Sequence, residues 1–405
     1  MNSSALYGKK ILLGVTGSIA AYKSAVLVRE LKKRGADVRV IMSKSAHDFI
    51  TPLTLATLAE HRVYTDFTES KEQGTWNNHV SLGIWADLMI ISPASANTIS
   101  DMAQGKADSF LLATYLSARC KVALAPAMDL DMFAHDATSK NLEILSDRGH
   151  LIIGPEDGEL ASGLRGKGRM TEPEEIVNIL EHYLLQHMPL IGKSILVTAG
   201  PTYEAIDPVR FIGNRSSGKM GFAIAEALAA KGANITLIAG PVTIQTAHPF
   251  IKRIDVESAE EMYRMCLANF DGADAVVMSA AVADYRPTNP YKEKFKKTEE
   301  HFSIDLVKNP DILAEMGKRK KPGQILVGFA LETTNELEHA LLKLERKNLN
   351  LIVLNSLKDQ GAGFGVDTNQ IKLIYSKEKI SSFELKSKQE VAEDIANALT
   401  SLLIV

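Results

Sequence analysis

Cysteine is scarce. Cys120 and Cys266 are the only two in 405 residues, which excludes a disulfide framework and a cysteine-built metal site. Long apolar runs are missing as well. No stretch approaches the roughly 20 residues that span a bilayer, and MNSSALYGKK lacks the apolar core of an export signal. No basic block occurs, and the formal net charge is only −3. Nucleic acid is therefore not the expected main partner, while small anions held by local Lys and Arg are. We expect a cytoplasmic protein with no membrane and no nucleic-acid partner.

What is present is the balance of a globular chain, 45% apolar and 23% charged, long enough for two or three domains with sizeable cores. Short apolar runs alternate with helical patterns. KILLGV (10–15) reads as a strand, and a helix follows with Ser18 as N-cap and Gly35 as stop. Then come DVRVIMS, a helix near PLTLATLAE, DLMIIS, a helix from Ser95, KVALAPAM, a helix around Asn141–Arg148, and HLIIGP. Strands this apolar imply a parallel sheet covered on both faces. SGLRGKGRM (162–170) reads as a mobile loop and Pro173–His187 as a helix.

The alternation restarts with SILVTAG, ANITLIAGP, AVVMSAAV, GQILVGFALE and NLNLIVLNS, while Tyr285–Ser303 reads as a long loop. Cys266 falls at helical spacing in EMYRMCLANF and reads as core. The expected fold is α/β, two doubly wound, mainly parallel-sheet Rossmann-like domains in tandem, 1–188 and 189–405.

Four N-terminal segments carry polar groups, three of them at strand ends, where open α/β sheets bind ligands. LGVTGSIAAYK puts Gly14, Gly17 and Ser18 at a strand-to-helix turn, suited to phosphate or to plain helix capping. It is not the GxGxxG dinucleotide fingerprint. SPASANTIS (92–100) offers Ser95, Asn97 and Thr98; a cap explains only Ser95. NNHVSLGIWAD contains His79, which on composition alone is more often structural. APAMDLDM (125–132) is a Pro-bounded loop with two acids and two methionines.

Together these segments resemble the flavin-dependent cysteine decarboxylases over about residues 8–175, with PASANT and PAM-x-x-x-M the specific signatures. The resemblance implies that Gly17, Ser18, Ser43, Ser95, Asn97 and Thr98 hold FMN and that His79 is the active-site base. It implies oxidation of the substrate's cysteine carbon to a thioaldehyde, loss of CO₂, and re-reduction. Two positions depart from the family pattern. Asp129 stands where PAMN has Asn, and an ionised Asp only accepts hydrogen bonds. Two like charges at ~4 Å repel by roughly 4 kcal/mol at an effective dielectric of 20. Either Asp129 is protonated, or another group holds the substrate carboxylate, or the repulsion helps expel CO₂; a protonated Asp129 is the favoured expectation. Ala161-Ser162-Gly163 replaces the family's ACG. The family cysteine supplies the last proton, so Ser162 is expected to relay one from water or Lys167.

In the second half, Gly213-Asn-Arg-Ser-Ser-Gly218-Lys219 nearly fits P-loop spacing, but Met220 replaces the Ser/Thr that would hold Mg²⁺. Ser216, Ser217 and Gly218 still open a helix suited to phosphate. SAAVADYRP ends a buried strand, EKFKK is a Lys cluster that would ordinarily be a solvated face, and VKNPDIL places a proline at a helix start.

In this order the segments resemble the bacterial phosphopantothenate–cysteine ligases over about 190–400, on D-P-V-R-x-I-x-N-x-S-S-G-K-M-G, A-A-V-A-D-Y and K-N-P-D-I. The resemblance implies CTP contacts at Ala281, Asp284, Lys294, Lys308, Asn309, Pro310, Asp311, Ile312, Phe329, Lys343 and Lys347, with Asn214 holding an acyl-cytidylate and Mg²⁺ assisting. Asn350 stands where many members have Asp, which should affect structure more than chemistry.

The implied substrates are 4'-phosphopantothenate, cysteine and CTP. The implied assembly is a homo-oligomer, trimeric or dodecameric through the flavin half, with FMN at subunit contacts, and dimeric through the ligase half. The alternative is an active ligase whose flavin domain is regulatory or decarboxylase-impaired.

Overall fold

The computed structural model describes residues 4–70, 74–294, 303–332, 335–356 and 366–404. The chain packs as two compact units, one spanning Ser4–Gln186 and one from His187 onward.

The first unit is built on six strands: β1 (Lys10–Val15), β2 (Asp37–Met42), β3 (Val63–Tyr64), β4 (Leu88–Ala94), β5 (Lys121–Pro126) and β6 (Leu151–Ile152). All pair in parallel, in the order β3-β2-β1-β4-β5-β6. Alternate residues feed opposite faces, which is why these strands are apolar throughout. Ile11, Leu13, Val40 and Ile90 enter one core, and Leu12, Ile41, Met89 and Ile91 the other. The strand order reverses between β1 and β4, so their carboxyl ends diverge and leave a crevice between them.

Helices α1 (Lys23–Lys33), α2 (Pro52–Ala59), α3 (His79–Trp85), α4 (Ala96–Gln104), α5 (Phe110–Ser117), α6 (Leu130–Ala134), α7 (Asp136–Asp147) and α8 (Pro173–His187) complete this unit. The expected first helix is split: Ser18 caps a 3-10 turn, Ile19–Tyr22, before α1 begins, and Gly35 ends the element at φ +83°. The expected mobile loop at 162–170 is instead half a hairpin, β7 (Glu156–Glu159) paired antiparallel with β8 (Arg165–Arg169). The reason lies in the two-residue period of RGKGR. Gly166 and Gly168 are buried while Arg165, Lys167 and Arg169 are exposed. A Cβ on Gly168 would sit 2.3 Å from the Met128 carbonyl, and one on Gly166 2.7 Å from the Leu130 side chain. The hairpin therefore lies tightly on the loop carrying Asp129.

The second unit holds an eight-stranded sheet: β9 (Ser194–Ala199), β12 (Asn234–Ala239), β13 (Ile251–Asp255), β14 (Ala275–Met278), β17 (Ile325–Glu332), β18 (Leu351–Ser356), β19 (Ile371–Ile374) and β20 (Ile380–Ser382). The order is β13-β12-β9-β14-β17-β18-β19-β20, parallel up to β18 and antiparallel at the last two. The antiparallel edge was not anticipated. It carries alternating, half-polar strands.

Two short hairpins lie outside the sheet, β10 (Tyr203–Ala205) with β11 (Phe211–Gly213) and β15 (Tyr285–Pro287) with β16 (Leu306–Lys308). The expected loop from Tyr285 thus begins as a strand, and its residues 295–302 lie outside the described set. The helices are α9 (Lys219–Ala230), α10 (Ala259–Phe270), α11 (Ile312–Arg319), α12 (Glu336–Arg346) and α13 (Lys388–Leu403). Cys266 is fully buried on α10, and burial pushes its thiol up to about 12. Asn350 Oδ1 accepts the Leu326 amide at 2.9 Å, so it joins β17 to the start of β18.

Candidate functional site

In the first unit a cleft of about 640 Å³ opens at the β1/β4 reversal. Its floor is built from small residues, Gly17, Ala20, Ala96 and Ala127, with the hydroxyls of Ser18 and Ser95. Gly17 is obligatory: a Cβ there would meet Ser45 Oγ at 2.4 Å. Ser45 in turn hydrogen-bonds Ser43 at 3.1 Å. Thr16 ties the two sides of the crevice together, donating to the Pro93 carbonyl at 2.7 Å and accepting the Ser95 amide at 3.0 Å.

The upper wall is the hairpin and the 128–132 loop, which bring in Asp129, Met132, Ser162 and Arg169. Lys23 lines the cleft although it is 93% buried. Its Nζ donates to the Met170 carbonyl at 3.1 Å and to Glu172 at 2.9 Å. Arg169 shares the same Glu172 oxygen at 2.5 Å. The Lys23 hydrogen bond, and then that of Arg169, hold the Glu172 carboxyl below its usual range against the effect of burial.

The cleft thus gathers Gly17, Ser18, Ser95, Asp129 and Ser162. Ser43 sits one bond removed, beside Ser45. On α4, Asn97 hydrogen-bonds Asp101, and Thr98 hydrogen-bonds Ser95. Ser162 is exposed, its Oγ 3.5 Å from the Leu164 amide. His79 does not line this cleft. It opens α3 inside an aromatic box of Phe67, Trp76 and Phe110, with its Nδ1 buried and unpartnered.

A ribityl phosphate needs close backbone approach, hydroxyl donors and a helix start, and the Gly17–Ser18 turn with Ser95 supplies them. The residues present therefore fit FMN. Gly17→Ala should weaken flavin retention by about 1–3 kcal/mol, roughly 5–150-fold, so the purified variant should lose its yellow colour on dialysis before the parent does.

In the second unit a smaller cleft of about 180 Å³ lies at the β9/β14 reversal. Ser216–Gly221, Ser279–Ala281, Phe329–Leu331, Asn355, Asn369 and Lys388 line it. Of the expected residues it takes in Ala281 and Phe329. Asn214 reaches over its rim, donating to the Ala281 and Val282 carbonyls at 3.0 and 3.3 Å.

Most of the other expected residues gather around Asn309 and Asp311. Asn309 is buried, its Nδ2 donating to Ala283 O and its Oδ1 accepting from Arg286, both at 2.8 Å. The Asp284 carbonyl accepts the Asn309 amide at 2.8 Å. Asp311 caps α11, whose first residue, Ile312, is buried behind Pro310. Lys347 pairs with Asp311 at 2.8 Å, and Lys343 donates to the Phe329 carbonyl at 2.6 Å. Lys294 and Lys308 are exposed.

Burial acts to raise Asp311, but the Lys347 hydrogen bond, the Ala314 amide and the charges of Lys347 and Lys343 outweigh it, so the carboxyl lies below its usual range. A depressed carboxyl stabilises the fold above its unfolded pKa of about 3.9 and loses that contribution as pH falls through the folded value. Asp311→Asn keeps the capping acceptor and removes the charge. It should lower stability by less than about 1 kcal/mol at pH 7, and its melting curve should converge with the parent's as the pH falls below the ordinary carboxyl range.

Lys23, Arg169, Glu172, Asn355, Asn369 and Lys388 were missed. Lys23 ends the GSIAAYK run and was within reach; the others became visible only through long-range packing. Asn355 matters for the second cleft because its Oδ1 is buried there without a partner. Among the described residues no group of three or more His, Cys, Asp or Glu is placed to hold a metal ion.

The sequence model of a family described as Flavoprotein matches residues 1–185, and that of a DNA/pantothenate metabolism flavoprotein C-terminal domain matches 190–403. A cysteine/cysteine sulfinic acid decarboxylase from an unknown prokaryotic organism is 52% identical over 87% of this chain and 99% of its own length. The coenzyme A biosynthesis bifunctional protein CoaBC is 42% identical in Bacillus subtilis (strain 168), over 98% of both chains. That of Haemophilus influenzae is 44% identical, over 97% of this chain and 98% of its own. A crystal structure of the C-terminal domain of a CoaBC protein is 39% identical, covers 53% of this chain and 98% of its own, and superposes with a TM-score of 0.45.

Proposed function

Because this chain belongs to the bifunctional coenzyme A biosynthesis family, CoaBC, we propose that its first unit is the decarboxylase and its second the ligase, each working at the crevice where its strand order reverses. The second unit acts first. The carboxylate of 4'-phosphopantothenate attacks the α-phosphate of CTP and pyrophosphate leaves. Asn214 holds the acyl-cytidylate while the cysteine amine attacks its carbonyl and CMP departs. Ala281, Asp284, Lys308, Asn309, Pro310, Asp311, Ile312 and Phe329 position the nucleotide, and Lys294, Lys343 and Lys347 offset triphosphate charge. Mg²⁺ bound to the triphosphate would share in offsetting that charge.

The first unit then releases CO₂ from 4'-phosphopantothenoylcysteine. A bound FMN, held by Gly17, Ser18, Ser43, Ser95, Asn97 and Thr98, supplies a reversible two-electron exchange with the cysteine carbon–sulfur unit. His79 moves the proton, Ser162 relays the last one, and Asp129 meets the substrate near its carboxylate. Assembly through the first unit, as a trimer or dodecamer, would bring His79 of one protomer to the cleft of another.

The observation carrying this reading is the first cleft itself: small residues and hydroxyls where flavin would sit, with Asp129 and Ser162 overhead. The reading of a regulatory flavin domain is not favoured. The relative named for cysteine and its sulfinic acid brings one shared element to this chain, a carboxylate two carbons from sulfur.

The test is incubation with 4'-phosphopantothenate, cysteine and CTP, with products read by mass. 4'-Phosphopantetheine, CMP, pyrophosphate and CO₂ are expected. Accumulation of 4'-phosphopantothenoylcysteine alone would refute the decarboxylase half.

A further inference from the structure

Asp129 stands at the N-cap of α6 with extended backbone, φ −67° and ψ 157°, yet its side chain makes no capping hydrogen bond. An N-cap Asp ordinarily turns back onto the helix amides. Here the helix takes only the backbone carbonyl, through the Phe133 amide at 2.9 Å. The carboxylate lines the cleft and has no ion pair or hydrogen bond among the described residues.

Facing it is the opposite charge. Lys23 and Arg169 line the same cleft and share one carboxylate, Glu172. Two cations on one anion leave a net positive charge. The two walls are close: the Met128 amide donates to the Gly168 carbonyl at 3.1 Å, beside Asp129 and Arg169. Glu159 adds a second acid at the exposed rim.

Unpaired carboxylate, Asp129 inside the cleft and Glu159 at its rim, opposite the Lys23–Arg169 pair is the complement of an α-amino acid zwitterion. An N-acylated cysteine has no ammonium and leaves Asp129 against its carboxylate. A free amino acid puts its ammonium on Asp129 and its carboxylate toward Arg169 and Lys23. We propose that Asp129 makes this cleft a site for free cysteine, whose α-ammonium it holds, so that the unit also converts cysteine to cysteamine.

The reaction balances. The Cα–carboxylate bond breaks, CO₂ leaves, and Cα gains a proton. The two electrons that a bound flavin withdraws from the carbon–sulfur unit are returned, so no net oxidant is consumed. The inference rests on the decarboxylase reading of this cleft and names a second substrate class for it.

Two measurements on the full chain, isolated with its flavin, decide it. The first is calorimetric titration with S-methyl-L-cysteine and its N-acetyl form, neither of which has the thiol that reacts. The parent should bind the free amine at least about tenfold more tightly, and Asp129→Asn should erase or reverse that preference. The second is CO₂ release from cysteine and from 4'-phosphopantothenoylcysteine. The parent should act on both, and Asp129→Asn should lower the ratio of cysteine turnover to acylated-substrate turnover by about tenfold or more.

Equal binding of the two analogues by parent and variant overturns the proposal. So does turnover of 4'-phosphopantothenoylcysteine with none of cysteine, an outcome that leaves the decarboxylase reading intact. A colourless protein inert toward both substrates refutes that reading instead, and the titration still reports on Asp129.

Discussion

His79→Asn should lower CO₂ release from 4'-phosphopantothenoylcysteine by about 10²–10⁴-fold, the range of a lost general acid–base. The ring sits edge-on to Phe67, Trp76 and Phe110, with centroids 5.8, 6.3 and 6.5 Å away. Three aromatic neighbours fix its plane without claiming its nitrogens. Nδ1 is buried and unpartnered, so no protein acceptor locks the tautomer, and the ring stays free to take or return a proton at Nε2. The helix does not need the imidazole, since Asn78 makes the cap by accepting the Ser81 amide at 3.0 Å. The variant should therefore fold, keep its flavin, and ligate normally in the other unit. CO₂ release within threefold of the parent would remove His79 from the chemistry.

The second large effect is structural. Gly240 ends β12 with its amide on the Ala199 carbonyl at 2.9 Å. A Cβ there would fall 1.7 Å from the Pro201 carbonyl oxygen. Neither side of that contact is a movable side chain, so Gly240→Ala must displace backbone and should cost about 3 kcal/mol. The displaced segment is functional. Gly200–Thr202 hold the strand-end cradle, with the Ala281 amide on Gly200 O at 2.9 Å and the Thr202 amide on Ala281 O at 3.3 Å. Ligation should collapse, while CO₂ release from supplied 4'-phosphopantothenoylcysteine should persist because it belongs to the other unit. A calorimetric scan should show one transition moving down and one unmoved.

The parallel strands were legible because burial on both faces forces runs such as KILLGV and LMIIS to be apolar. Ser18 and Ser95 were legible as caps because capping is local. The RGKGR hairpin was not, since its glycines are there for the backbone of residues 128–130, far away in sequence. His79 shows the limit from the other side: nothing local separates a boxed imidazole from one spent on a structural hydrogen bond. The shared carboxylate of Glu172 escaped for the same reason as the hairpin. Its partners lie 149 positions away at Lys23 and three away at Arg169, and only the fold makes them one group.

The two cysteines have a chemical consequence. Cys266 is sealed in the core and Cys120 is half-buried, its thiol raised mainly by burial. Thiolate, the form that attacks disulfides, is thus suppressed at both positions. A catalyst that handles thiols such as cysteine thereby avoids capturing them as mixed disulfides.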